Sequence, residues 1–513
     1  MPESGSSKPV RIWRSVDLPA PTGPAMPTIS PPRTESDTFD KIRFPPKDLF
    51  MFISSIMQGV LKHARGATRH VIAKLYLRST YTTIMYVMTV VMAILSVIFV
   101  FTLPDPLRPK TSIGAMNMLA IAALIITLFV KGKRTVFLEK KRWEAIHYAV
   151  TAYAIAVLLS LLFTPTIQDS TPLRLLFSGV IMFWLSQEIT PTERYKKLFI
   201  HILGGVALCI ALLSLLQVAA PGLMNSIAEK YLRGRAAYGI TIEFSRGRLL
   251  HWGVLVFIFP FFYSSSLLLD WKARVWTLLY VVGGYAAMLG SMIISNFRGA
   301  FLVFIGATIA YVLYARHVGY ITAKKVYYIA GLFVVALIFG LIIARSVLGY
   351  NLLDRFLLRD SYRDVTETLG RITLFDQALT VFQSYPFFGA GYGNYYSVVW
   401  PFPHMQYFSI FDQFEPYPVP IAAHNEFYTV LAETGIVGFL SFLLVVCLIG
   451  TRLYKLMFMS RLSDIDKLFA LTLGTSYGTI ATYIWFENMY PQNIVYLLLM
   501  GAMATHWIKS KTS

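Results

Sequence analysis

The 513-residue chain is short of charge, of acidic groups in particular, and shortest of cysteine. Only 14% of its residues are charged, where soluble globular domains carry about 25%. Hydrophobic residues make up 56%, and mean hydropathy is +0.57. That balance excludes a water-soluble enzyme. Cys209 and Cys447, the two cysteines, sit inside apolar runs, which excludes a disulfide framework and a cysteine-based zinc site. The N-terminus lacks an apolar stretch of the signal-peptide kind. Lysine and arginine number 46 against 27 acidic residues, a net charge of +19. In so apolar a chain that excess marks cytoplasmic membrane loops rather than a nucleic-acid surface.

What is present divides the chain. Residues 1–47 are rich in Pro, Ser and Thr and cannot bury a core, so they are expected to be a disordered cytoplasmic N-terminus. Over 48–78, Lys62, Arg65, Arg69, Lys74 and Arg78 alternate with Phe52, Ile56, Val60, Val71 and Leu75. This is the pattern of a basic amphipathic helix lying on a membrane surface; a solvated linker helix is the other reading. Apolar runs long enough to span follow at 81–103, 113–131, 144–164, 174–189, 198–219, 249–269, 276–295, 299–316 and 326–347. A long polar loop occupies 348–433, and three more runs cover 434–451, 467–485 and 492–508. The expected fold is all-α: a polytopic membrane protein with about twelve transmembrane helices and one large, mostly helical periplasmic loop. Helices 1–9 fall within 79–347 and helices 10–12 within 434–513.

Loop charge sets the expected orientation. Lys131, Lys133, Arg134, Lys140, Lys141 and Arg142 lie in one loop, and Arg194, Lys196 and Lys197 in a later one. Lys272 and Arg274, then Arg316, Lys324 and Lys325, then Arg452, Lys455 and Arg461, and finally Lys509 and Lys511 continue the series. These are every second loop, so both termini are read as cytoplasmic. The alternate loops face outward, and their basic residues are nearly all arginine: Arg233, Arg235, Arg246, Arg248, Arg298, Arg355, Arg359, Arg363 and Arg371. A guanidinium grips phosphate or carboxylate bidentately. An arginine-rich outer face suits an anionic head group such as a lipid-linked diphosphate; pairing with Glu229, Glu243, Asp354, Asp360, Asp364 and Glu367 is the plainer alternative.

The strongest local motif is His424-Asn425, nine residues, then Gly435-x-x-Gly438. It lies where the outer loop meets a helix. Asn425 suits an N-cap, and a helix N-terminus favours anions. A histidine beside it is placed to accept a proton, although it could equally serve to hydrogen-bond the loop. The two glycines, one turn apart, permit a close backbone approach or a re-entry into the membrane, and with Gly204-Gly205 and Gly283-Gly284 they read as helix-packing sites. Gly389-x-Gly391-x-Gly393 lacks the spacing of a dinucleotide loop and reads as a flexible turn. Asp464-Ile-Asp466, beside Arg461 and Lys467, reads as a solvated salt-bridge face, and His147 and His201 as satisfied helix histidines.

The His424-Asn425-x9-Gly435-x-x-Gly438 element resembles the motif of the O-antigen ligase and polysaccharide polymerase superfamily of bacterial membrane proteins. Ser295-Asn-Phe-Arg298-Gly299-Ala300 is similar to that family's Ser/Arg-Gly-Ala turn, with two residues between Ser and Arg. Gly370-Arg371 followed by Pro386-x-x-Gly389-x-Gly391 resembles its large-loop Arg and Pro-x-x-Gly-x-Gly. Gly239-x-x-x-Glu243-Phe-Ser245 resembles a polymerase segment that carries Pro where Phe244 stands. The likeness implies a metal-independent, cofactor-free, inverting glycosyltransferase at the periplasmic face of the bacterial inner membrane. Its donor would be a polyprenyl-diphosphate-linked oligosaccharide and its acceptor a glycan or lipid hydroxyl. Membrane lipids, a flippase and a chain-length regulator are implied partners, and nucleic acid is not. Arg298 and Arg371 would compensate diphosphate charge and His424 would act on the acceptor hydroxyl; Arg235, Asn425, Glu243 and Tyr395 are the substrate-binding candidates. Glu243, Asp412 and Glu415 are alternative bases. The aromatic stretch from Tyr395 to Tyr417 would stack on sugars or anchor at the interface. Polymerase of exopolysaccharide or O-antigen repeats, ligase to lipid A core or protein, and a polysaccharide or lipid transporter remain the alternatives.

Overall fold

The computed structural model describes residues 67–98, 110–131, 143–164, 170–220, 254–269, 275–295, 298–324, 374–395, 423–486 and 491–508, with scattered positions at 135, 222, 326–342 and 398. The chain divides into two compact units, Met1–Leu75 and Tyr76–Ser513. In the first, only residues 67–75 are described, and they are helical. The rest of the interfacial segment expected over 48–78, and the tail before it, lie outside the described residues up to 66.

Every regular element among the described residues is helical. In chain order they are α1 (Ala67–Ile98), α2 (Lys110–Lys131), α3 (Ala145–Leu162), α4 (Thr171–Ser186), α5 (Glu193–Ala219) and α6 (Val254–Leu267). Then come α7 (Val275–Ser295), α8 (Arg298–His317), α9 (Glu426–Met457), α10 (Asp464–Tyr483) and α11 (Pro491–His506). Six segments are long and apolar enough to cross a membrane: Ser79–Val97, Gly114–Lys131, Ala145–Leu162, Glu193–Leu216, Gly299–His317 and Glu426–Met457. Shorter apolar segments lie within α4, α6, α7 and α11. Hydrocarbon offers the backbone no hydrogen bonds, so an apolar chain in it must satisfy its own amides, and the helix does that locally. The outward face of α2 shows what surrounds it. Met118, Ile125 and Phe129 are 69%, 61% and 77% exposed, an apolar surface suited to lipid and not to water.

Inside, small and hydroxyl side chains hold the helices together. Gly204 meets the α6 backbone: a Cβ there would lie 2.9 Å from the Phe261 carbonyl oxygen. Gly284 faces the Phe262 ring in the same way, so one glycine of each expected packing pair does that work. Ser264 bonds both Tyr311 and Thr472, Tyr263 bonds Thr308, and His201 bonds Ser265 at 2.8 Å. His147 bonds Gln187 at 2.6 Å. Both histidines are satisfied, as their placement at span ends predicts.

These contacts fix which helix ends lie together. Phe259 meets Phe304 and Tyr263 meets Thr308 and Tyr311, so α6 and α8 run in parallel. Ser476 donates to the Phe257 carbonyl while Thr472 bonds Ser264, so α6 and α10 are antiparallel. The amide of Glu426 donates to Ile484, which ties the start of α9 to the end of α10. Arg298, the first residue of α8, and His424, just ahead of α9, therefore share one end of the bundle.

The opposite end carries Lys131 and Lys196, described residues of the loops expected to face inward. Lys131 bonds Glu188 at 2.6 Å, and Phe458 packs on Tyr314 and His317. Lys196 is ion-paired with Asp466, both buried. The expectation of a solvated Asp464–Asp466 face is corrected here. Asp464 is exposed, but Asp466 is folded inward onto a lysine 270 positions away.

Candidate functional site

The site is built on an interrupted helix. α9 starts at Glu426, behind the expected Asn425 N-cap and eight residues ahead of the expected span start at 434, and is broken at Gly435, where φ is 62° and ψ −168°. Only glycine adopts that backbone readily. The break gives the first segment, 426–434, a free C-terminal end and the second a free N-terminal end. Each leaves backbone groups without intrahelical partners.

The loop 385–393 supplies them. The Ala390 and Gly391 amides donate to the Ala432 and Glu433 carbonyls, each at 2.9 Å. In return, the Ile436 amide donates to Pro386 at 2.9 Å and that of Val437 to Phe387 at 3.3 Å. Such backbone-to-backbone docking leaves no room for side chains. A Cβ on Gly389 would lie 2.3 Å from the Glu433 carbonyl, and one on Gly435 would lie 2.4 Å from the Phe387 carbonyl. A Cβ on Gly438 would meet Thr434 at 2.2 Å. Gly435 makes the close backbone approach expected of the pair, to a loop rather than to another helix, and Gly438 admits the preceding turn. One expectation is corrected. Gly389, Gly391 and Gly393 do not form a loose turn: all three have positive φ in a hydrogen-bonded loop. The Tyr392 amide is held by the Ser160 hydroxyl at 3.3 Å, and Phe388 stacks on Phe163 with centroids 4.6 Å apart.

The other end of the 426–434 segment is pinned as well. The Asn425 side-chain oxygen accepts the amides of Phe427 at 2.9 Å and Tyr428 at 3.3 Å, while its Nδ2 donates to the Trp485 carbonyl at 3.1 Å. Asn425, expected among the substrate-binding residues, thus has its carboxamide committed to the protein's own backbone, because N-cap and tether use both of its ends. His424 immediately before it is half-buried and is the one non-glycine among the described residues with positive φ, 50°. Such a conformation is uncommon for a residue with a side chain.

Tyr395 was expected to offer a face to sugar. Its ring is instead fully buried in a small apolar cluster with Ala378, Val381, Ala390, Ala423 and Ala432. The cluster joins the helical stretch 374–384 to both sides of the motif, and Phe375 stacks on Tyr428 with centroids 4.8 Å apart. Arg235, Glu243, Arg371, Asp412 and Glu415 lie outside the described residues, as does the aromatic stretch beyond Tyr395 apart from position 398.

The residue that sequence reasoning passed over is Glu433. It is buried at 6% exposure, and its carboxylate accepts the Tyr395 amide at 3.2 Å and the Gly393 amide. Beside it Tyr392 hydrogen-bonds Tyr153, and burial with the nearby Glu433 and Glu426 charges pushes the Tyr392 phenol up, so it stays neutral. The available signal was a carboxylate set among Ala432, Thr434 and Gly435 where helix and loop meet. A group so expensive to bury needs partners.

A comparison with curated proteins gives no match. Residues 283–443 match the family model described as O-Antigen ligase. That interval runs from α7 through α8 and the loop 385–395 to the Gly435 break, and so takes in Arg298, Glu433 and His424. Over that interval the chain is similar to the O-antigen ligase family, and the match supports the O-antigen ligase superfamily and a membrane glycosyltransferase of the ligase or polymerase type.

Proposed function

We propose that the protein transfers a sugar chain from a polyprenyl-diphosphate donor to an acceptor hydroxyl at the outer face of the bacterial inner membrane. The observation that carries this reading is the common placement of the Arg298 and His424 positions, at the bundle end opposite the buried Lys196–Asp466 pair and the lysine-rich loops. With the lysine-rich end in the cytoplasm, the His424 end faces outward, where lipid-linked glycans are presented. Diphosphate is a good leaving group, and what the transition state requires is compensation of its growing charge. Arg298 and Arg371 supply that compensation, with Arg235 as a third contact. His424 takes the proton of the acceptor hydroxyl as it attacks the anomeric carbon. Attack from the face opposite the leaving group inverts that carbon and leaves no covalent enzyme intermediate.

The Glu243–Ser245 segment favours a polymerase acting on a second lipid-linked repeat over a ligase. Membranes holding His424→Ala or Arg298→Ala, supplied with one lipid-linked repeat unit, test the assignment. Loss of the product ladder in both variants is the expected result, and unchanged ladders in both would remove it. Chain growth without added core acceptor identifies the polymerase. Uptake of donor lipid that depends on an imposed gradient and forms no glycosidic bond would instead identify a transporter.

A further inference from the structure

We infer that Glu433 is a positioning residue: its carboxylate, by accepting the Gly393 and Tyr395 amides, locks the 389–395 loop onto the Gly435 break and so fixes the segment that presents His424. The inference rests on the reading above for its effect on activity, and on geometry for its effect on His424.

The loop is glycine-rich: its three glycines carry no side chains, and all three have positive φ. Backbone bonds run from residues 386–391 to the helix break, Ala390 and Tyr395 enter the apolar cluster, and Ser160 holds the Tyr392 amide. Between those anchors, Gly393 and Tyr395 point their amides at one buried carboxylate. Among the described residues Glu433 forms no salt bridge; its hydrogen-bonding capacity goes to backbone donors. Glu433 also lends its own backbone carbonyl to Gly391 at 2.9 Å, so one residue grips the loop at three successive odd positions: 391, 393 and 395. The segment 426–434 is then clamped at both ends, by Asn425 to Trp485 and by Glu433 to the loop. His424, held at positive φ two residues ahead of that segment, is carried by it.

Full-length Glu433→Ala and Glu433→Gln proteins in native membranes separate this role from chemistry. Two readouts are taken: the rate of diethylpyrocarbonate modification at the His424 peptide, and kcat and KM for chain growth. Glu433→Ala should change the His424 modification rate and lower kcat by about 10- to 100-fold, the scale on which small misplacements act. Glu433→Gln keeps one carbonyl oxygen for the amides and should recover activity to within about threefold, with His424 reactivity near wild type. Glu433→Asp, which pulls the carboxylate back by one methylene, should fall between them and serves if Glu433→Ala does not accumulate. Wild-type His424 reactivity in Glu433→Ala overturns the clamp. So does a Glu433→Gln protein as inactive as Glu433→Ala with His424 unaltered, which would make the carboxylate a proton-transfer group. Because the modification rate does not depend on turnover, it tests the clamp even if His424→Ala leaves the product ladder intact.

Discussion

Gly435→Ala is the sharpest single perturbation of this architecture. Alanine at φ 62°, ψ −168° enters a region that is nearly glycine-only, at a cost of about 1–3 kcal/mol. The new methyl would also stand 2.4 Å from the carbonyl carbon and oxygen of Phe387 and 2.6 Å from the Phe388 nitrogen. These are backbone atoms, so no rotamer change relieves the clash and the loop must retreat. Retreat strains or breaks the four bonds that run from Ala390, Gly391, Ile436 and Val437, at about 1 kcal/mol each. The variant should therefore lose about 2 kcal/mol at the least and about 7 at the most. That is a large share of the ~5–15 kcal/mol that holds a typical domain. The assay is thermal unfolding of detergent-purified protein alongside chain growth in membranes. Gly205→Ala is the matched control, because a Cβ there meets nothing within 4 Å; it should be neutral or gain up to about 1 kcal/mol as a helix-interior alanine. If Gly435→Ala melts with the wild type and still extends chains, the helix break is not held by the loop and the account of the site fails.

Two further outcomes follow from the same structure. Asp466→Ala strands the buried Lys196 ammonium, and breaking such a pair should cost about 3–5 kcal/mol, whereas Lys196→Met with Asp466→Leu should recover most of the loss in the same unfolding assay. At position 424, glycine should be more stable than alanine by about 1 kcal/mol, since both lack the imidazole but only glycine accepts positive φ freely; equal melting of His424→Gly and His424→Ala would mean the turn is not strained.

Much of the helical framework was legible from hydropathy alone. The runs expected at 144–164 and 299–316 became α3 (Ala145–Leu162) and α8 (Arg298–His317), and Asn425 became an N-cap as its residue type suggests. What was not legible depends on partners remote in sequence. Asp466 looked solvated because Arg461 and Lys467 flank it, while its actual partner is 270 positions away. Glu433 went unremarked because counting an apolar stripe ignores the polar position between stripes. Gly435-x-x-Gly438 shows a close backbone approach in sequence but not its partner, because small residues one turn apart usually let two helices meet. Spacing carries no information about φ, and φ decided the matter.

The docking of loop on helix also accounts for two motifs at once. A helix broken near a membrane boundary exposes amides and carbonyls that lipid cannot satisfy. Pro386-x-x-Gly389-x-Gly391 and Gly435-x-x-Gly438 are the two halves of the arrangement that satisfies them, each a glycine-bearing surface cut to the backbone of the other. Neither half can shift by one residue without misaligning all four bonds. The break therefore costs little in unsatisfied polar groups, and it stops the first segment nine residues after Asn425. A continuous helix would carry that face on into the bundle. The break ends it at the bundle's edge, with His424 at one end, Glu433 at the other, and the start of α8 at the same end of the molecule.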